Sequence, residues 1–375
     1  MGKKLELFRE FYDFEELEDY KASLRSKERR IKSSQVEILG ENLVFRDLNG
    51  KIIETRGFDE YQPIQISENR DYILLQKYED EKIIVELRNF KEDRIWKKQM
   101  GGFYYAYISN DGNCSVFFKG YGSGRSRVVN EAEFYDKNGE RLNRFSFEGG
   151  VSSDHQVFSN KSQLLIIWTI PIKILEDGSR ELSGTACIYA FDFTGKEIWD
   201  FPIKEQGIHD LKISNDGKKI IAVGEGEGEV ISGKLQGVGR IYFIDEQGKL
   251  VNEMPFNYGC TRAGIKFSDD TEHTVVFADQ NVFLFEEDTG KLLWEYVDPN
   301  IFFEFIDISS KSKDVVVGGY DEQMNFYIIM ISQDGGKIID EKIEIPEEIE
   351  KVEISDNGDK IFLELSNKVI VFNVT

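Results

Sequence analysis

The sequence predicts an all-β fold, a β-propeller of seven four-stranded antiparallel blades. A serine-ended strand recurs seven times at near-regular spacing. A hairpin with a glycine-containing or degenerate turn follows each copy but the last and also precedes the first, and the composition fits neither a disordered nor a fibrous chain.

The first repeat is a short strand ending in Ile-Ser or Phe-Ser, a polar turn and an apolar strand. Its copies are IQISENRDYILL, AYISNDGNCSVFF, QVFSNKSQLLII, LKISNDGKKIIAV, IKFSDDTEHTVVF, IDISSKSKDVVV and VEISDNGDKIFL. Their serines, Ser67, Ser109, Ser159, Ser214, Ser268, Ser309 and Ser355, stand 41 to 55 residues apart. That spacing is close to the roughly 40 to 50 residues of one four-stranded blade. The second repeat reads as strand, tight turn, strand in LVFRDLNGKIIE, AEFYDKNGERLN, YAFDFTGKEIWDF, YFIDEQGKLVNE, FLFEEDTGKLLWEY and MISQDGGKIIDE, with a degenerate copy in VELRNFKEDRIWKK.

Asn-Gly, Thr-Gly and Gln-Gly put glycine where a hairpin needs positive φ, and the preceding Asp or Asn bonds nearby backbone N–H groups. Alternating Val, Ile, Phe and Tyr supply faces that stack between blades. Each blade is therefore four strands, A to D, with the serine turn joining A to B and the glycine turn joining C to D. Strands of the C type number eight if NLVFRD near the N-terminus and the final KVIVFNVT are both counted. The expected closure has N-terminal strands completing the blade begun at Val352, which leaves no open edge; an eight-bladed ring is the alternative.

The strings DFTGKEIW (192–199) and EDTGKLLW (287–294), with the weaker EDRIW (92–96), resemble the Thr-Gly-Lys-x-x-Trp repeat of the PQQ-like β-propellers, a group that grades into WD40-like propellers. The resemblance covers 36–375 and implies the fold rather than an activity. Quinone-binding members of that group carry adjacent cysteines against the cofactor. Cys114, Cys187 and Cys260 are widely separated, so no cofactor, disulfide framework or cysteine zinc site is expected.

With 69 acidic against 47 basic residues the net charge is -22, a field that repels nucleic-acid backbones and anionic membranes. No run approaches membrane-spanning length, and the acidic N-terminal stretch lacks the apolar segment of a signal peptide, so a cytoplasmic protein is expected. Residues 1–35 differ from the rest. Leu5, Phe8, Phe11 or Tyr12, Leu17, Tyr20 and Leu24 recur at helical intervals and predict an amphipathic helix over 5–28, followed by a basic linker.

The run GEGEG (224–228) is followed by a strand rather than by a helix whose amides bind phosphate, and its glutamates repel phosphate; it reads as a hairpin tip. Most B-to-C links are tight, but three consecutive blades carry long ones at 119–129, 170–186 and 224–239. These either form a binding wall on the face they share with the D-to-A links, here the upper face, or pair as extended hairpins. Five residues before each repeat serine come Gln62, Tyr104, Asp154, His209, Ala263, Glu304 and Glu350, expected at the upper mouth of the channel, with Tyr105, His155, Asp210 and Arg262 around them.

The leading functional expectation is a non-catalytic scaffold binding a protein or peptide through Tyr104, Arg125, Arg127, His209 and Arg262. The competing one is a propeller hydrolase, lyase or metal-dependent sugar enzyme, with Asp154, His155, His209 and Asp210 holding a divalent metal or acting as acid and base. His273, in an A-to-B turn, is expected on the opposite face and solvated.

Overall fold

The computed structural model describes residues 5–11, 35–39, 42–46, 52–58 and 60–375, apart from 68–70, 80–81, 90–92, 104, 110, 122–127, 153–155, 160–162, 176–179, 183, 205–206, 215, 226–228, 232–233, 237–238, 257–261, 271, 345–348 and 366–367. Among these, seven blades of four antiparallel strands span 62–100, 105–152, 156–202, 207–256, 263–297, 302–343 and 349–374, the last taking its fourth strand from Leu5–Phe11. They are numbered 1 to 7 in that order. Neighbouring blades in the series meet largely through their A strands.

The serine turns account for the first repeat. All seven repeat serines are buried. The Oγ of Ser67, Ser109, Ser214, Ser268 and Ser355 accepts the N–H of the residue five positions on, at 3.0 Å in each case. Ser109, Ser214 and Ser268 also donate to an aspartate two residues later at 2.7 Å. Each hydroxyl thus satisfies a backbone donor that the turn would leave buried and unpaired. In the C-to-D turns, Asp136, Asp192 and Asp245 accept N–H groups two and four residues on, and the turn glycines Gly139, Gly195 and Gly248 have φ of 77°, 79° and 79°.

Because each blade is covered on both faces, the B and C strands are continuous apolar runs, such as Ile220 to Val223 and Val275 to Ala278, all buried. The apolar clusters straddle blade boundaries. One joins Ile166, Trp168 and Ile188 of blade 3 to Ile220 and Tyr242 of blade 4; another joins Phe243 of blade 4 to Phe283 and Phe285 of blade 5. D strands lie at the rim, and Glu197–Pro202 alternates half-buried with exposed side chains. The core is therefore a stack of inter-blade layers held by burial of aliphatic and aromatic surface.

Two expectations about the N-terminus are corrected. Leu5–Phe11 is a strand, antiparallel to Val369–Val374 with Leu5 opposite Val374 and Phe11 opposite Val369, and not the start of a helix. Its apolar residues also fit a two-residue period (Leu5, Leu7, Phe11), and pairing covers the otherwise open edge of blade 7. The Leu5 N–H donates to Glu341 of blade 6 at 3.0 Å. The rest of the expected helix, 12–28, lies outside the described residues. Asn42–Arg46, expected in the final blade, instead forms a separate three-stranded sheet with Gln35–Leu39 and Ile52–Gly57, beside the A strand of blade 1.

Candidate functional site

Three of the positions expected at the channel mouth share a backbone feature. In blade 4 the register runs from Ile208 opposite Gly224 to Asp210 opposite Val223, skipping His209. Blade 6 skips Glu304 and blade 7 skips Glu350 in the same way. A bulge at one repeat position in three A strands re-aims a side chain out of the alternation. Ala263 of blade 5 and Gln62 of blade 1 remain in register. Asp210, Ala263 and Glu304 line one cavity of about 220 Å³, together with Lys266 and Lys351.

The charges there are largely committed to each other. The exposed Arg262 pairs with Glu304 of the next blade, and its backbone N–H donates to Asp279 Oδ1 at 2.9 Å. Lys266 of blade 5 lies 3.1 Å from Asp307 of blade 6, whose Oδ2 accepts the Ile354 N–H of blade 7 at 3.0 Å; burial still pushes this carboxyl up. Desolvation works against the Lys351 ammonium, but Glu353 at 2.7 Å, with Glu364 and Asp307 adding, offsets it and raises its pKa.

Asp210 is a strut between blades. Its Oδ2 accepts the Ile265 N–H of blade 5 and its Oδ1 the Leu211 N–H, both at 2.9 Å. Of the expected acid–base or metal set, Asp154 and His155 lie outside the described residues, as do Tyr104, Arg125 and Arg127. The one group of three potential metal-ligand side chains among the described residues is Asp270, Glu272 and His273, on the A-to-B face of blade 5. The buried Lys313 ammonium contacts Asp270 there and lies 3.8 Å from Glu272, so a cation is already supplied by the chain. His273 is half-buried, with its Nδ1 enclosed, rather than solvated as expected: it opens the B strand His273–Ala278.

Two of the long connections are ordered as hairpins. The B strand of blade 3, Leu164–Ile174, runs past the sheet and pairs with Arg180–Leu182. At its foot Ile170 and Pro171 pair with Ser152 and Val151, the end of the D strand of blade 2, joining those blades into one hydrogen-bonded sheet. In blade 4, Glu229–Ile231 pairs with Lys234–Gln236. The run 224–228 is not the hairpin tip expected from sequence: Gly224 and Glu225 end the B strand, opposite Arg240 and Gly239, and the hairpin comes after it, while 226–228 lie outside the described residues.

Sequence reasoning missed three features. Glu86 and Glu133, at matching places in the C strands of blades 1 and 2, are buried acids: Glu86 accepts from Tyr61 at 2.6 Å and from Arg88 at 2.7 Å, and Glu133 from Tyr135 at 2.7 Å and Arg141 at 3.0 Å. The signal was a carboxylate inside an apolar strand, as in IIVEL. The second is that Asn143 and Asn252 stand where other blades have tryptophan and, like it, donate to a carbonyl in the next blade's C-to-D turn. The third is a cavity of about 310 Å³ between blades 1 and 2, lined by Gln65, Gln76, Tyr78, Phe103, Tyr105 and Tyr107.

Among solved structures, the chain is similar to the Dos1 propeller, with a TM-score of 0.54 over 91% of this chain and 88% of that one, at 13% identity. The chain is a β-propeller. The likeness carries the propeller fold without reaching a PQQ-like assignment. Also similar are a chain of the mitotic checkpoint complex (TM-score 0.46, 10% identity, 93% of this chain and 94% of that one) and the Cps50 (Swd1) β-propeller domain of Myceliophteria thermophila (TM-score 0.39, 12% identity, 87% and 99%). No protein-family model matches the propeller, and no curated protein matches it.

Proposed function

We propose that this propeller is a non-catalytic binding scaffold that recognises a protein or peptide over its upper face. The observation that supports this reading is the departure of that face from the repeat. Blades 3 and 4 raise ordered hairpins there, whereas blade 5 closes the same link with the turn 279–280. Long connections on a rigid scaffold are where binding surfaces are built. His209, re-aimed by its bulge, and the exposed Arg262 stand at the mouth beside this wall, and Tyr104, Arg125 and Arg127 are the further contacts proposed from sequence. The net charge of -22 favours a protein partner over nucleic acid.

The test is affinity capture from lysate of the source organism with the intact chain and with a His209→Ala/Arg262→Ala variant of unchanged melting temperature. A partner held by the first and lost by the second is the expected result. Equal capture by both removes the mouth residues from the binding surface.

A further inference from the structure

The sheet of Gln35–Leu39, Asn42–Arg46 and Ile52–Gly57 stands outside the seven four-stranded blades, yet its chain path is that of a blade. Its strands pair in the order in which they follow one another, both pairs antiparallel, as B, C and D strands do. Two residues join the first two strands, as in blade 5, and four residues lead from Gly57 to the A strand of blade 1, as four lead from Val297 to Phe302. The turn between the last two strands belongs to LVFRDLNGKIIE, a copy of the second repeat.

The register makes the match specific. In blades 1 to 6 the C and D strands share a bulge that passes over one D residue, and that residue is always aliphatic: Ile95, Leu142, Ile198, Val251, Leu293 and Ile338. In blades 2 to 6 it stands three residues past the turn glycine. The N-terminal sheet does the same. Phe45 pairs with Glu54 and Arg46 with Ile52, passing over Ile53, three residues past Gly50. A bulge is one extra residue at a defined place in a strand pair, so its recurrence marks the sheet as a further C-to-D hairpin of the same series.

Packing gives the position. The B strand of one blade touches the A strand of the next: Lys219–Glu225 meets Ala263–Phe267, and His273–Ala278 meets Phe302–Ile308. Gln35–Leu39 meets Gln62–Ile66 in the same way, so against blade 1 the sheet stands where a preceding blade belongs. The apolar layers agree. Each boundary from blade 1 to blade 7 carries a cluster drawn from both neighbours, but among the described residues none joins blade 7 to blade 1. Instead, Ile73, Leu75 and Ile84 of blade 1 are buried with Phe58 and Tyr61, which lie on the link from the sheet. On the other flank the chain order makes the connection, because Leu5–Phe11, the fourth strand of blade 7, precedes the sheet as every other D strand precedes the next blade.

We infer that 35–57 supplies the B, C and D strands of an eighth blade, standing in the ring between blade 7 and blade 1. The N-terminal strands then close the ring at two places. Leu5–Phe11 completes blade 7, and the eighth blade covers the apolar face of blade 1 that would otherwise meet water. The channel mouth is framed by eight blades, with Glu350 of blade 7 and Gln62 of blade 1 separated by one of them. This inference stands apart from the scaffold reading and does not depend on it.

The experiment is pulsed electron–electron dipolar spectroscopy on the full chain, with nitroxide pairs at one repeat position. Asp71, Lys218, Glu272 and Asp359 each stand four residues past a repeat serine, in blades 1, 4, 5 and 7, and all four are exposed, so labels there keep the fold. Cys114 and Cys187 are buried, and Cys260 is replaced by serine in every sample. Lys218→Cys/Glu272→Cys calibrates neighbouring blades, and Glu272→Cys/Asp359→Cys calibrates blades with one between them. The distance in Asp71→Cys/Asp359→Cys is expected to match the second reference. A shorter distance, down to that of neighbouring blades, overturns the inference, and a longer one shows an open ring and overturns it as well.

Discussion

The indole of Trp199 in blade 3 lies against Gly248 in the C-to-D turn of blade 4, and its Nε1–H donates to the carbonyl of Glu246 in that turn at 2.9 Å. Trp294 repeats this against Gly335, donating to Gln333 at 3.0 Å. Asn143 and Asn252, also four residues past their turn glycines, donate instead to Gly195 and Gly290 of the next blade, both at 2.6 Å. From blade 1, Lys98 reaches the Gly139 carbonyl at 2.7 Å, and Trp96 covers that glycine. Each outer strand from blade 1 to blade 5 is thus fastened to the following turn by one side-chain N–H.

This fastening makes Gly248 irreplaceable. A Cβ there would sit 2.5 Å from the Trp199 ring, on a backbone with φ of 79°. Gly248→Ala should lower stability by about 2–4 kcal/mol through the clash and the left-handed strain together. Asn252→Ala, which removes one inter-blade hydrogen bond, should cost about 1 kcal/mol. Urea unfolding of the three proteins checks both values; equal midpoints for Gly248→Ala and the parent would show that the turn relaxes freely.

Asp210 holds blade 5 to blade 4 by accepting the Ile265 N–H, while the Leu211 N–H of its own strand fixes its carboxylate. Asp210→Ala leaves the Ile265 N–H without its partner and should cost about 1–3 kcal/mol. A thermal melt measures the loss, and elemental analysis of both proteins separates this role from a metal ligand: the strut requires a lower melting temperature with unchanged metal content.

Glu287 is 2% exposed, and burial raises its pKa to about 7, with Asp216 and Asp288 adding to the shift and Lys219 opposing it. The folded state therefore binds a proton that the unfolded chain, titrating near 4.5, has already released. Stability from this group is full below about pH 4.5, falls as pH rises towards 7, and levels off above it. Glu287→Gln should abolish that fall and be the more stable protein at pH 8, by up to about 3 kcal/mol. Parallel denaturant titrations at pH 5 and 8 test it; an identical pH slope in the two proteins contradicts it.

Removing residues 1–11 should expose the edge of Val369–Val374. An open apolar edge templates pairing with another chain, so the truncated protein should melt at lower temperature and self-associate. Light scattering across a concentration series reads this directly. A truncated chain that stays monodisperse at the parent's melting temperature would show that Leu5–Phe11 is dispensable for closure.

Much of the fold was legible because a blade repeats the same local demands. Buried serines capping turns and glycines at positive φ are requirements of a few adjacent residues, so Ser214 with Asp216 and Asp192 with Gly195 announce themselves in the string. The N-terminal segment misled because Leu5, Leu7, Phe8 and Phe11 satisfy both the helical and the strand period over so short a length. Its partner, Val369–Val374, lies at the other end of the chain. Counting back from the serines singled out His209, Glu304 and Glu350 as one repeat position, but the bulges they share show only in pairing with the B strands.

By itself, the sequence determined the blade as a unit, the identity of its turns and the apolar layers between sheets, since each is set by residues close along the chain. The tertiary structure decided what joins one blade to the next. Asn143 doing the work of a tryptophan, Asp210 reaching Ile265 and the strand that closes blade 7 all depend on residues far apart in sequence. No local period encodes such pairs, because either partner satisfies its own strand equally well without the other.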